Sequence, residues 1–102
     1  MVIHLTEIKP QNLKKALKKK GFEQSERDSD HEYYFYYENG EKTTAFTKFS
    51  RGTHGKKAMG DCLIHMVKEQ MKFEKKEQLF QFVDCTFTKE DYREMLFRKG
   101  II

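Results

Sequence analysis

Apolar positions recur along the chain with two periods. Leu13, Ala16 and Leu17 follow Pro10 at helical spacing, with lysines on the opposite side. That predicts a helix opened by Pro10, where the missing N–H costs little, and closed before Gly21. Residues 22–27 predict a short polar strand, and Asp28-Ser29-Asp30 a turn. From His31 to Phe49 the period changes to two, and aromatic and β-branched residues flank Asn39-Gly40. That pair suits a type I′ turn, in which both residues take positive φ, so the stretch predicts a β-hairpin. Tyr33, Phe35 and Tyr37 then share one face and Tyr34 and Tyr36 the other, while Ala45, Thr47 and Phe49 oppose Thr44, Phe46 and Lys48.

After a polar, glycine-bearing loop the helical period returns. A helix is predicted from about Lys56 to Met71, with Met59, Cys62, Leu63, Met66, Val67 and Gln70 along its stripe. Another is predicted from Lys75 to Val83, with Leu79, Phe82 and Val83 turned inward. Thr88, three residues before Asp91, makes a capping-box start for a last helix bearing Tyr92, Met95 and Leu96. Helix, three antiparallel strands and further helices predict an α+β sandwich with the helices gathered on one face of the sheet. The first five elements follow the α-β-β-β-α order of the double-stranded-RNA-binding fold. The 102 residues allow one domain with a modest core. With no long apolar run or N-terminal apolar segment, the expected location is the cytoplasm, with no membrane.

Charge distribution adds to this picture more than the net charge of +4 does. Residues 9–20 hold six lysines (9, 14, 15, 18, 19 and 20) and no acid. Residues 23–41 carry seven acids against one arginine, and residues 42–76 carry nine bases against three acids. Two basic segments around an acidic one point to a polyanion such as RNA, with solvated helix faces as the bland alternative. Two cysteines, Cys62 and Cys85, make no disulfide framework, and each is expected as a small buried hydrophobe.

Two constellations carry candidate chemistry. His31 opens the first hairpin strand, where its side chain is held by the strand yet open to substrate; an imidazole titrates near working pH and serves as a general acid or base. RNA can be cut without metal by a base acting on the 2′-OH and an acid acting on the leaving 5′ oxygen. Asp28, Asp30 and Glu32 flank His31 in sequence, favouring imidazolium and repelling phosphate. The second constellation is His54-Gly55-Lys56-Lys57, with Arg51 before it. Lysines at a helix start, together with exposed backbone N–H groups, suit phosphate binding. His54 is the candidate complement to His31, and Lys48 a further phosphate contact. Zinc is the weaker option: His54, Cys62 and His65 lack a fourth ligand. No cofactor is expected. The tyrosines of the hairpin offer either base stacking or ordinary cross-strand packing.

The run Leu13-Lys-Lys-Ala-Leu17, then Lys20-Gly-Phe-Glu23, Ser29-Asp-His31, the Asn39-Gly40 turn and His54-Gly-Lys-Lys57 resembles the HicA-type toxins of HicA/HicB toxin–antitoxin pairs. The resemblance covers about residues 9–71, and residues 72–102 look like an added helical pair. It implies cleavage of messenger RNA, a catalytic role for His31, and a HicB-like antitoxin as protein partner. Asp30 stands where that family has Ser or Thr before the histidine. Two rival readings are a catalytically silent RNA-binding module of the same fold and a protein-interaction domain docking through its tyrosine-rich sheet.

Overall fold

A computed structural model describes residues 7–25, 31–50, 58–84 and 86–102. Its elements are α1 (Pro10–Lys19), β1 (Phe22–Ser25), β2 (His31–Glu38), β3 (Glu41–Ser50), α2 (Asp61–Gln70), α3 (Lys76–Val83) and α4 (Lys89–Arg98). The class is α+β, with a three-stranded antiparallel sheet in the order β1-β2-β3.

The hairpin turn forms as its residues require. Asn39 has φ 52° and Gly40 φ 80°, both in the left-handed region. Glu38 thereby pairs with Glu41 and Tyr37 with Lys42; beyond a register shift of two residues, Phe35 pairs with Phe46, Tyr33 with Lys48 and His31 with Ser50. Strand alternation then sorts the side chains. Tyr34, Tyr36, Ala45, Thr47 and Phe49 are buried on the face that meets the helices.

One apolar cluster lies between that face and the helices. Leu13, Ala16 and Leu17 of α1 enter it as their spacing predicts, as do Leu79 and Phe82 of α3 and Tyr92, Met95 and Leu96 of α4. Phe22, Tyr36, Phe82 and Tyr92 form a group of tilted and edge-on rings, with contacting centroids 5.4–6.2 Å apart. Residues 72–102, expected as an extension, thus share the core of the segment before them. The Tyr92 hydroxyl donates to the Met71 carbonyl oxygen at 2.7 Å, joining α4 to the end of α2. Thr88 caps α4, accepting from the Asp91 N–H at 3.1 Å while Asp91 accepts from the Thr88 N–H at 3.0 Å.

The second helix departs from its expected form. Gly60, extended at φ −74° and ψ 168°, is the residue before the helix, which opens at Asp61 and not near Lys56. Met59 reaches the core from extended chain, and its N–H donates to the Ile8 carbonyl oxygen at 2.7 Å. The stripe that α2 buries is Ile64 and Val67, continued by Met71. Cys62, expected in the core, is exposed, and so is Met66. Gln70 faces the sheet with its amide oxygen, accepting from the Thr47 hydroxyl at 2.9 Å and the Lys48 N–H at 3.3 Å. The buried Thr47 hydroxyl is satisfied in this way. Cys85 lies outside the described residues. Among the described residues no helix is long and apolar enough to cross a membrane.

Gly21, at φ +96°, ends α1 and returns the chain into β1. A Cβ there would lie 3.1 Å from the Tyr36 ring and 3.2 Å from the Lys89 side chain. Gly21→Ala is expected to cost at least about 1–2 kcal/mol from the left-handed backbone alone, measured by urea unfolding. The inner tyrosines predict an alkaline limit. Burial first, and the Glu32 charge second, push the Tyr34 phenol up to about 12. Burial also raises Tyr36 and Tyr92. Below the ordinary value of 10 both folded and unfolded chains keep these protons; between 10 and 12 the unfolded chain loses them first. Thermal melts are therefore expected to shift downward as pH rises above about 10, less steeply in Tyr34→Phe.

Candidate nucleic-acid interface

The residues left over by the core define the opposite face of the sheet. His31, Tyr33, Phe35 and Tyr37 alternate with the buried positions of β2, and Phe46 and Lys48 stand across from Phe35 and Tyr33 on β3. Among the described residues no helix packs over them: the core cluster contains Tyr34 and Tyr36 but not Tyr33, Phe35 or Tyr37. The rings there hold one another. Tyr33 and Phe35 are near-parallel, 8° apart in plane with centroids 6.0 Å apart. Phe46 lies 5.6 Å from Phe35 and 6.5 Å from Tyr33, at 27° and 26°. Lys42 extends over the Phe35 ring, its Nζ 4.1 Å from the centroid.

His31 is half-buried at the start of β2, with its ring centroid 6.2 Å from that of Tyr33. Lys48, half-buried, is its diagonal cross-strand neighbour, a relation that separates the two backbones by roughly 7–8 Å. These two of the sequence-predicted site residues therefore share one face and one end of the sheet. Arg51, His54, Lys56 and Lys57 lie outside the described residues. Because α2 opens at Asp61, its first turn carries a carboxylate and not the lysine pair expected there.

Of the acids expected around His31, Glu32 is turned away from it. Glu32 follows it by one residue, so the pleat turns its carboxylate to the helical side, where it accepts from the Lys14 ammonium at 2.8 Å and the Gln24 amide at 3.4 Å. Asp28 and Asp30 lie outside the described residues. Of the described strand carboxylates, Glu23, paired with Phe35 across β1 and β2, is the one whose register brings it to the aromatic face. Glu38, at the hairpin tip, accepts from Arg93 of α4 at 2.6 Å.

Two of the six lysines near the N-terminus are drawn into the fold. Lys14 pairs with Glu32 and lies 5.1 Å from the Phe49 ring centroid. Lys20 is buried, donates to the carbonyl oxygens of Phe82 and Phe87, and sits 4.5 Å from the Phe82 ring centroid. It satisfies one carbonyl in the last turn of α3 and one in the segment between α3 and α4, a role sequence spacing does not reveal. Lys15, Lys18 and Lys19 are exposed. Lys42 is the residue that inspection of the sequence passed over. Its signal was available: it pairs with Tyr37 and so shares the parity of His31.

For the weighed zinc set, His54 lies outside the described residues, while Cys62 and His65 are both exposed on α2. Among the described residues no three His, Cys, Asp or Glu side chains are grouped as metal ligands. No family model, curated protein or solved structure matches the chain.

Lys20→Met is expected to lower stability by about 1.5–3 kcal/mol, because one buried and one part-buried carbonyl lose a charged donor. Lys18→Gln, at an exposed position, is expected to stay within about 0.5 kcal/mol of wild type. Paired urea titrations of the two variants distinguish a structural lysine from a surface one.

Proposed function

We propose that this protein binds RNA on the open face of its sheet and cuts it without metal, in the manner implied by its resemblance to HicA toxins. The supporting observation is the shared placement of His31 and Lys48 on a face that the helices leave uncovered, with the Glu32 carboxylate turned away to Lys14. In this reading Lys48 holds a backbone phosphate while His31, one diagonal step away, exchanges a proton with the adjoining ribose 2′-OH or 5′ oxygen. An imidazole changes charge near neutral pH, so one side chain serves as base or acid according to its starting state. Arg51, Lys56 and Lys57 extend the phosphate contacts and His54 supplies the complementary proton transfer. Helix, three antiparallel strands and helix in that order support the double-stranded-RNA-binding-like architecture. A HicB-like antitoxin is the protein partner, and it acts by covering the His31 face.

The test is incubation of wild type and His31→Ala with structured and unstructured RNA in EDTA, resolved on a gel. The expected result is cutting by wild type and loss of at least about 100-fold in rate for His31→Ala, the usual worth of a positioned acid or base, with RNA affinity retained. Binding without cutting by both proteins would identify the silent module of the same fold. Absence of binding at low salt would remove the RNA reading, since phosphate contacts are strongest there.

A further inference from the structure

A sheet covered by helices on one side ordinarily alternates apolar residues inward with polar residues outward. Here the outward set is aromatic as well. Tyr33, Phe35 and Tyr37 occupy successive outward positions of β2, and Phe46 stands opposite Phe35. Cross-strand packing accounts for the Phe35–Phe46 pair, and Phe35 itself is buried by its neighbours. It does not account for the half-buried Tyr33, Tyr37 and Phe46 around it, which are only partly covered by their neighbours. Nor does it account for the cations set among these rings, Lys42 above Phe35 and Lys48 beside Tyr33.

We propose that this face is a stacking platform for unpaired nucleotides, so that the RNA taken by the site is single-stranded and not duplex. Flat apolar rings beside ammonium groups match a ligand with flat apolar faces and a regular negative backbone, and an unpaired nucleotide offers both within one unit. A paired base hides its faces inside the duplex and cannot meet Tyr33 or Phe46. The near-parallel planes of Tyr33, Phe35 and Phe46 set one plane orientation that an added base can continue. Lys42 and Lys48 then flank the base on the two sides along β3 and meet its phosphates. The platform ends at His31, whose ring adjoins that of Tyr33, so a strand stacked on Tyr33 runs toward the imidazole. This inference rests on the RNA-binding reading and assigns the substrate class of that same face.

The test is fluorescence anisotropy with a labelled oligouridine of about ten nucleotides, within the span one such surface covers, and a labelled hairpin duplex of matching phosphate count. Wild type is expected to bind the single strand more tightly. Tyr33→Leu and Phe46→Leu keep apolar bulk but remove the ring faces, and each is expected to weaken single-strand binding about 5- to 100-fold. Tyr33→Phe is expected to retain it. Lys42→Gln, outside the packed core, is expected to reduce the salt slope by roughly 0.7 and provides a second measurement should a leucine variant unfold. Circular-dichroism melts report whether each variant is folded. Unchanged affinity in folded leucine variants, an unchanged salt slope in Lys42→Gln, or tighter binding of the duplex would overturn the platform while leaving RNA binding in place. No binding of either RNA by wild type would overturn both, and the aromatic face would then belong to a protein.

Discussion

The register of the β2–β3 hairpin governs everything else in this molecule. Because side chains alternate across a strand, a slip of one residue would exchange the two faces wholesale. Tyr34 and Tyr36 would then go to solvent, and His31, Tyr33 and Phe35 would be pressed against the helices. The Asn39-Gly40 turn, with both residues at positive φ, excludes that slip locally. The helices exclude it globally, since Leu13, Leu17, Val67 and Tyr92 need large apolar partners on one side only. The pairing shifts by two residues between Phe35 and Tyr37, an even number, so turn chemistry and core packing still select the same faces.

Charge is distributed in consequence of that choice. The strand positions that alternate toward the helices include Glu32 and Glu38, and each meets a cation from the helical layer, Lys14 and Arg93 respectively. These pairs are partly exposed and contribute modestly to stability. Their larger effect is on the other face, where Lys42, Lys48 and His31 meet neither Glu32 nor Glu38. Glu32, adjacent in sequence to His31, points to the other side of the sheet. Lys20 shows the converse: a lysine in a basic run becomes an internal donor, because its long stem lies over the Phe82 ring and its ammonium meets two carbonyls.

Much of this architecture is legible in the residue pattern. Leu13, Ala16 and Leu17, the hairpin around Asn39-Gly40, and the Thr88 capping box with Tyr92, Met95 and Leu96 each carry a local signal that needs no distant partner. The split of Tyr33, Phe35 and Tyr37 from Tyr34 and Tyr36 follows from period two alone. The α2 region was less readable. Its apolar residues fit more than one helical phase, and Met59 is buried from extended chain through a backbone bond to Ile8, a contact between distant segments. The face that packs on the core carries Ile64, Val67 and Met71, which leaves Cys62 on the surface.

Periodicity and turn residues were enough to establish which elements form and which strand residues share a face, since both depend on bonds and sterics within a few residues. Which of the two faces meets the helices, where α2 begins, and which lysines stay in solvent depended on long-range packing. Burial is a competition among all apolar surfaces for the same interior, and a linear pattern records the competitors without recording the outcome. The aromatic face bearing His31 is the surface that competition left outside.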